Sequence, residues 1–197
     1  MSLKSCLMMS IGAAMVIAST PSFAASWPTR DLASQAAFQR CSDAVAASVA
    51  DDNATEAGLA KCTRAADLAE LKSGRAAAIA NRGVLNFQRA NYDAAISDST
   101  AALNIDGRLV EALVNRGAAY LAMHRAGEAA ADFDRALAMA PVHAEKVYFN
   151  RAMAREDKGD MKGAYADYAR AAALAPGWDL PRQQMIRFTI RDRRPIS

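Results

Sequence analysis

The chain contains none of the short motifs that most often announce catalysis. There is no glycine-rich phosphate loop, no G-x-S-x-G elbow and no H-E-x-x-H pair, so nothing supports P-loop phosphoryl transfer, α/β-hydrolase chemistry or zincin chemistry. Histidine is scarce. His124 and His143 are the only two, and neither has a partner at metal-ligand spacing. No apolar run is long enough to span a bilayer: Leu7 to Ala18 falls short of the roughly 18 residues such a helix needs. A formal charge of +3 is too small to point to a polyanionic partner. The basic excess gathers at the end, in Arg182, Arg187, Arg191, Arg193 and Arg194, without the interleaved aromatics of a nucleic-acid surface. The expectation is therefore a non-enzyme with no cofactor and no nucleic-acid partner.

An apolar fraction of 52% beside a charged fraction of 23% is that of a soluble globular protein. Alanine dominates the apolar set, which favours close-packed helices. The first 24 residues stand apart. Lys4 gives a positive start, Leu7 to Ala18 an apolar stretch, and Ser22 and Ala24 the small residues of a cleavage site before Ala25. This is the pattern of a signal peptide. An uncleaved anchor fits less well, because Pro21 and the small residues precede Ala25. The expected product is periplasmic or secreted, with no stable membrane insertion after cleavage.

Between Ala76 and Pro176 one pattern is written three times. Asn81-Arg82-Gly83 returns as Asn115-Arg116-Gly117 and as Asn150-Arg151-Ala152, in steps of 34 and 35 residues. Twelve residues after each small residue stands an alanine (Ala95, Ala129, Ala164), and nineteen after it another (Ala102, Ala136, Ala171). The middle copy adds Tyr120, Phe133 and Pro141. A fixed period of this length marks a stacked-repeat architecture. Small residues midway along a first helix and on a second let two antiparallel helices approach closely.

These offsets resemble the tetratricopeptide repeat family. The first copy departs from its pattern at Asn86, Ser99 and Gly107, and the third at Arg155. The resemblance implies an all-α, right-handed superhelical solenoid of antiparallel hairpins whose concave face, lined by first helices, binds a protein or peptide. Together with the leader, it also implies an exported bacterial protein. The expected divisions are a signal peptide (1–24), an N-terminal cap hairpin (25–75), three repeats (76–109, 110–144 and 145–178), and a C-terminal capping helix with a basic tail (179–197). The cap hairpin pairs a helix from Asp31 to about Val49 with one opened by a capping box at Asn53 and Glu56 and ended by Lys72-Ser73-Gly74. After Trp178, Asp179 caps a last helix whose Met185, Ile186 and Ile190 cover the open end of the repeats.

Matched groove positions implied by the resemblance are Asn81, Val84 and Phe87, then Val114, Asn115 and Leu121, then Lys146, Phe149 and Asn150. Asparagine donates and accepts at once, which suits an extended peptide backbone; it equally suits bonds inside the stack. Lys146 and Asn115 match the family's carboxylate clamp, but Ala80 and Val84 stand where its first lysine and asparagine belong, which argues against recognition of an acidic chaperone tail.

Each copy also has an arginine beside the small residue and an aspartate 16 residues later: Arg82 with Asp98, Arg116 with Asp132, Arg151 with Asp167. A row of ligand-binding arginines is one reading. An interhelical clamp is the better one, because both partners recur together and a guanidinium grips a carboxylate bidentately. Cys41 and Cys62 are the two cysteines beyond the leader. An even count in an exported chain favours a disulfide, and the two lie equally far from the turn near Asp51 and Asp52. Buried thiols, or a redox or metal pair, are the weaker alternatives. The leading function is an envelope interaction module for a protein or peptide; the alternative is a self-associating scaffold using the same surface.

Overall fold

The computed structural model describes residues 32–48 and 52–191. The expected leader, its cleavage point at Ala24/Ala25, and the tail beyond Arg191 lie outside the described residues. Within them the chain is helical: α1 (Leu32–Ser48), α2 (Asp52–Leu68), α3 (Lys72–Gln88), α4 (Tyr92–Ile105), α5 (Val110–Ala122), α6 (Ala126–Ala138), α7 (Ala144–Asp157), α8 (Met161–Leu174) and α9 (Leu180–Arg191). Among the described residues there is no strand, and no helix is long and apolar enough to cross a membrane.

Two expected boundaries move. Lys72-Ser73-Gly74 does not end α2, which stops at Leu68; it forms the first turn of α3. Gly74 is buried there. Asn53 is not a cap either, because α2 already opens at Asp52. The proline signals do mark ends: α6 closes before Pro141 and α8 before Pro176, since proline cannot continue a helix.

The helices fall into two compact units, one within residues 32–119 and one within 120–191. In the first, α1 packs on α2, both pack on α3, and α3 packs on α4. The small residues act at the crossing of α3 and α4. A methyl placed on Gly83 would stand 3.3 Å from the Ala95 carbonyl oxygen and from the Asp98 Cβ. In the second unit α6 packs on α7, α7 on α8, and α8 on α9. Its core joins Phe149, Ala152, Ala164, Tyr168 and Ala171, with Trp178, Leu180, Met185 and Phe188 laid against it. Ile186, expected in this cover, is 56% exposed instead; Phe188, two residues on, takes the inward place. The side chain of Ile190 lies outside the described residues.

The three repeat hairpins turn alike. Ala90, His124 and Gly159, each seven residues after its repeat's small residue, have φ of 60°, 57° and 81°. In each turn the next amide reaches back to the first helix: Asn91 N to Asn86 O at 2.9 Å, Arg125 N to Tyr120 O at 2.8 Å, and Asp160 N to Arg155 O at 2.8 Å. The left-handed residue itself donates to Phe87, Leu121 or Glu156. This double closure satisfies the carbonyls that a helix C-terminus leaves open.

Candidate partner-binding site

Of the nine first-helix positions expected to face a partner, eight are buried: Asn81, Val84, Phe87, Val114, Asn115, Leu121, Phe149 and Asn150. Lys146 is half-buried. The aromatic pair has named neighbours. The Phe87 ring lies 5.3 Å from that of Tyr92. Phe149 sits between Tyr168 at 5.3 Å and Trp178 at 4.8 Å, so in the second unit the final residue of the last repeat already lies against this ring.

The asparagines differ from the apolar residues around them in one respect. Asn81 donates to Ser42 Oγ at 3.4 Å, and its own Oδ1 has no hydrogen-bond partner. Asn115 and Asn150 have none for either Nδ2 or Oδ1 among the described residues. A buried polar group left unpaired costs about 1–3 kcal/mol, and native chains keep few of them. Two whole carboxamides at equivalent positions of two first helices are therefore a feature that needs a purpose.

The arginines beside them are fully engaged. Arg82 grips Asp98 through Nε at 3.1 and 3.2 Å and Nη2 at 2.6 Å, while Nη1 donates to Thr63 at 3.1 Å. Arg151 grips Asp167 through Nε at 2.8 Å and Nη2 at 2.7 Å, and its Nη1 reaches Asp134 at 2.7 Å. Arg116 donates to Thr100 at 3.2 Å. Hydrogen bonding to Asp98 and Asp167 raises both the Arg82 and the Arg151 pKa, against the opposing effect of burial. Each arginine thus binds a residue on the second helix of the preceding hairpin, and Arg82 and Arg151 also clamp their own hairpin.

Sequence reasoning missed part of this network. Thr63, Thr100 and Asp134 accept from the arginine that follows, and the last two lie five residues after Ala95 and Ala129, a spacing that was there to be read. Asn86 and Arg155, which break the aromatic pattern, both turn to the buried aspartate: Asn86 Nδ2 to Asp98 at 2.8 Å and Arg155 Nη1 to Asp167 at 3.0 Å. Cys41 and Cys62 are joined as a disulfide, with Cα atoms 4.6 Å apart and neither residue exposed. On the second unit's outer helices, Glu156 accepts from Tyr168 at 3.2 Å and pairs with Arg187 at 2.9 Å. Burial first, and the nearby Glu156 carboxylate second, raise the Tyr168 phenol above its ordinary range.

A family model described as tetratricopeptide repeat matches residues 145–177. No curated protein matches the chain. Among solved structures, the first tetratricopeptide-repeat domain of Spaghetti (RPAP3), bound to the HSP90 peptide SRMEEVD, is 24% identical with a TM-score of 0.58 over 60% of this chain and 94% of that one. The second such domain of human RPAP3, in complex with the HSP70 peptide SGPTIEEVD, is 25% identical with a TM-score of 0.53 over 56% of this chain and 92% of that one. The corresponding domain of Arabidopsis OM64 is 23% identical with a TM-score of 0.57 over 59% and 96%.

Proposed function

On the premise that this is a tetratricopeptide-repeat protein, we propose that it is a non-catalytic interaction module that binds a segment of a partner protein along its first helices. The observation that carries the reading is the unpartnered carboxamide of a buried first-helix asparagine, present once in each unit: Asn115 in one, Asn150 in the other. An amide side chain offers one acceptor and two donors, the complement of an extended peptide backbone. The solved relatives that hold HSP90 and HSP70 peptides support peptide binding as the mode of use. The acidic tails of those peptides are not the expected ligand here, because Ala80 and Val84 are apolar and Arg82 and Arg151 are engaged internally. Val114 and Phe149, which directly precede the two asparagines, are apolar, so the segment favoured is uncharged and partly apolar. Because Asn115, Asn150 and Phe149 are buried, engagement includes displacing whatever covers them, and association is slower than docking on a preformed surface.

The same reading puts the protein in the cell envelope. Its support is the disulfide, which persists in oxidising compartments, together with the leader pattern of the first 24 residues. A random peptide library displayed on phage and panned against the oxidised protein tests the binding function. Peptides recovered on wild type should lose at least about tenfold in affinity on Asn115→Leu/Asn150→Leu, a difference of about 1.4 kcal/mol. Equal binding by both would remove the asparagines from the site. A stable dimer with no peptide binding would turn the reading to a self-associating scaffold.

A further inference from the structure

We infer that residues 32–68 are a fourth copy of the repeat, in which the Cys41–Cys62 disulfide replaces the packing contact between the two helices, so that this hairpin takes its place only in an oxidised chain. The register follows from four coincidences. A methyl placed on Gly58 would meet the Leu85 Cδ1 at 3.0 Å and the Ala44 Cβ at 3.1 Å, and the second of these parallels the approach of Gly83 to the Ala95 carbonyl oxygen, 3.3 Å, between α3 and α4. With Ala44 and Gly58 taken as the paired small residues, Cys41 stands three before the first and Cys62 four after the second. In the last repeat, three before Ala152 is Phe149 and four after Ala164 is Tyr168, whose rings touch at 5.3 Å. The disulfide therefore sits where that repeat has its aromatic contact.

The other two coincidences are polar. Two residues before Ala44 is Ser42, the place of Asn81, Asn115 and Asn150, and Asn81 bonds to it. Five residues after Gly58 is Thr63, which accepts from Arg82 as Thr100 accepts from Arg116 and Asp134 from Arg151. The copy escapes a search by period because its two small residues are 14 apart rather than 12, and because Asp43 stands in the arginine's place.

The dependence on oxidation follows from what else the hairpin buries. Apart from the cysteines, its buried apolar residues among those described are Ala37, Ala44, Val45, Ala65 and Ala66, all small, against Phe149 and Tyr168 in the last repeat. Side chains this small around the disulfide give α1 and α2 a weak hold on each other there. Closing the bond joins the two sulfurs with loss of two electrons and two protons, which a small-molecule disulfide takes up as two thiols; a dithiol reverses it. Since neither cysteine is exposed, exchange requires the hairpin to open, so the bond is set as the chain folds.

The test is hydrogen–deuterium exchange on the full chain, refolded either with oxidised glutathione or with dithiothreitol, beside Cys41→Ala/Cys62→Ala and Cys41→Ala/Cys62→Val. The dithiol form and both variants should lose protection by about a hundredfold in 32–68 while 92–188 stays within about threefold of the oxidised protein. Equal protection of 32–68 with and without the bond would overturn the inference, as would restoration by Cys41→Ala/Cys62→Val, which refills the space without a bond. Loss of protection through the whole chain would overturn it as well, because the bond would then be a general requirement and not that of one repeat.

Discussion

Arg155 stands 3.0 Å from Asp167, a carboxylate that Arg151 already holds with two bonds. A position at which the family places an aromatic ring has become a second cation for one buried acid. In the first repeat the neutral amide of Asn86 stands at that position and donates a hydrogen bond to Asp98.

That arrangement makes the two arginines unequal. Asp167 is buried and Arg151 nearly so, whereas Arg155 is about twice as exposed as Arg151 (29% against 15%). Arg151→Ala should destabilise by about 1–3 kcal/mol, held to that range because Arg155 still offsets the stranded charge. Arg155→Ala should cost about 1 kcal/mol or less. Urea titrations of both variants and of the double variant measure this. If Arg155→Ala costs more than Arg151→Ala, the assignment of the principal clamp is reversed.

Asn150 gives the second prediction. Its carboxamide is buried without a hydrogen-bond partner among the described residues, and leucine is close to it in shape. Asn150→Leu should raise stability by about 1–2 kcal/mol. A residue kept at a cost to stability is one kept for binding. A lower melting temperature for the variant would mean that the amide has a partner in the folded chain and would remove it from the binding argument.

The third concerns alkaline pH. The Tyr168 phenol is raised from its ordinary value of 10.0, chiefly by burial. An unfolded chain releases this proton near pH 10, while the folded chain retains it, so above that pH the unfolded state binds fewer protons. Stability is therefore full below about pH 10 and falls as pH rises from there through the higher folded value. Melts between about pH 9 and about pH 11 should show a steeper fall in wild type than in Tyr168→Phe. Identical slopes would assign the alkaline loss to other groups.

Much of this fold could be read from spacing. The 34- and 35-residue steps announce three helix pairs, and α3 to α8 supply them; the exception is Lys72-Ser73-Gly74, where a sequence that usually stops a helix opens α3. Cys41 and Cys62 were legible because symmetric distance from a turn is a statement about height along two antiparallel helices. What spacing could not give is depth. Periodicity puts Asn115 and Asn150 on a face, but a face can be open or covered, and only coordinates show these carboxamides buried. Nor does a pattern search align Ser42 with Asn81, because Asp43 follows it where an arginine follows each asparagine.

The left-handed residue in each hairpin turn has one more implication. Glycine adopts that backbone readily, as Gly159 does, but a Cβ at Ala90 or His124 is held there against its preference, at about 1 kcal/mol or more. The three turns are thus graded in intrinsic ease, with the third the most relaxed. The relief that glycine brings is therefore open to the first two turns, through Ala90→Gly and His124→Gly, and already taken at the third.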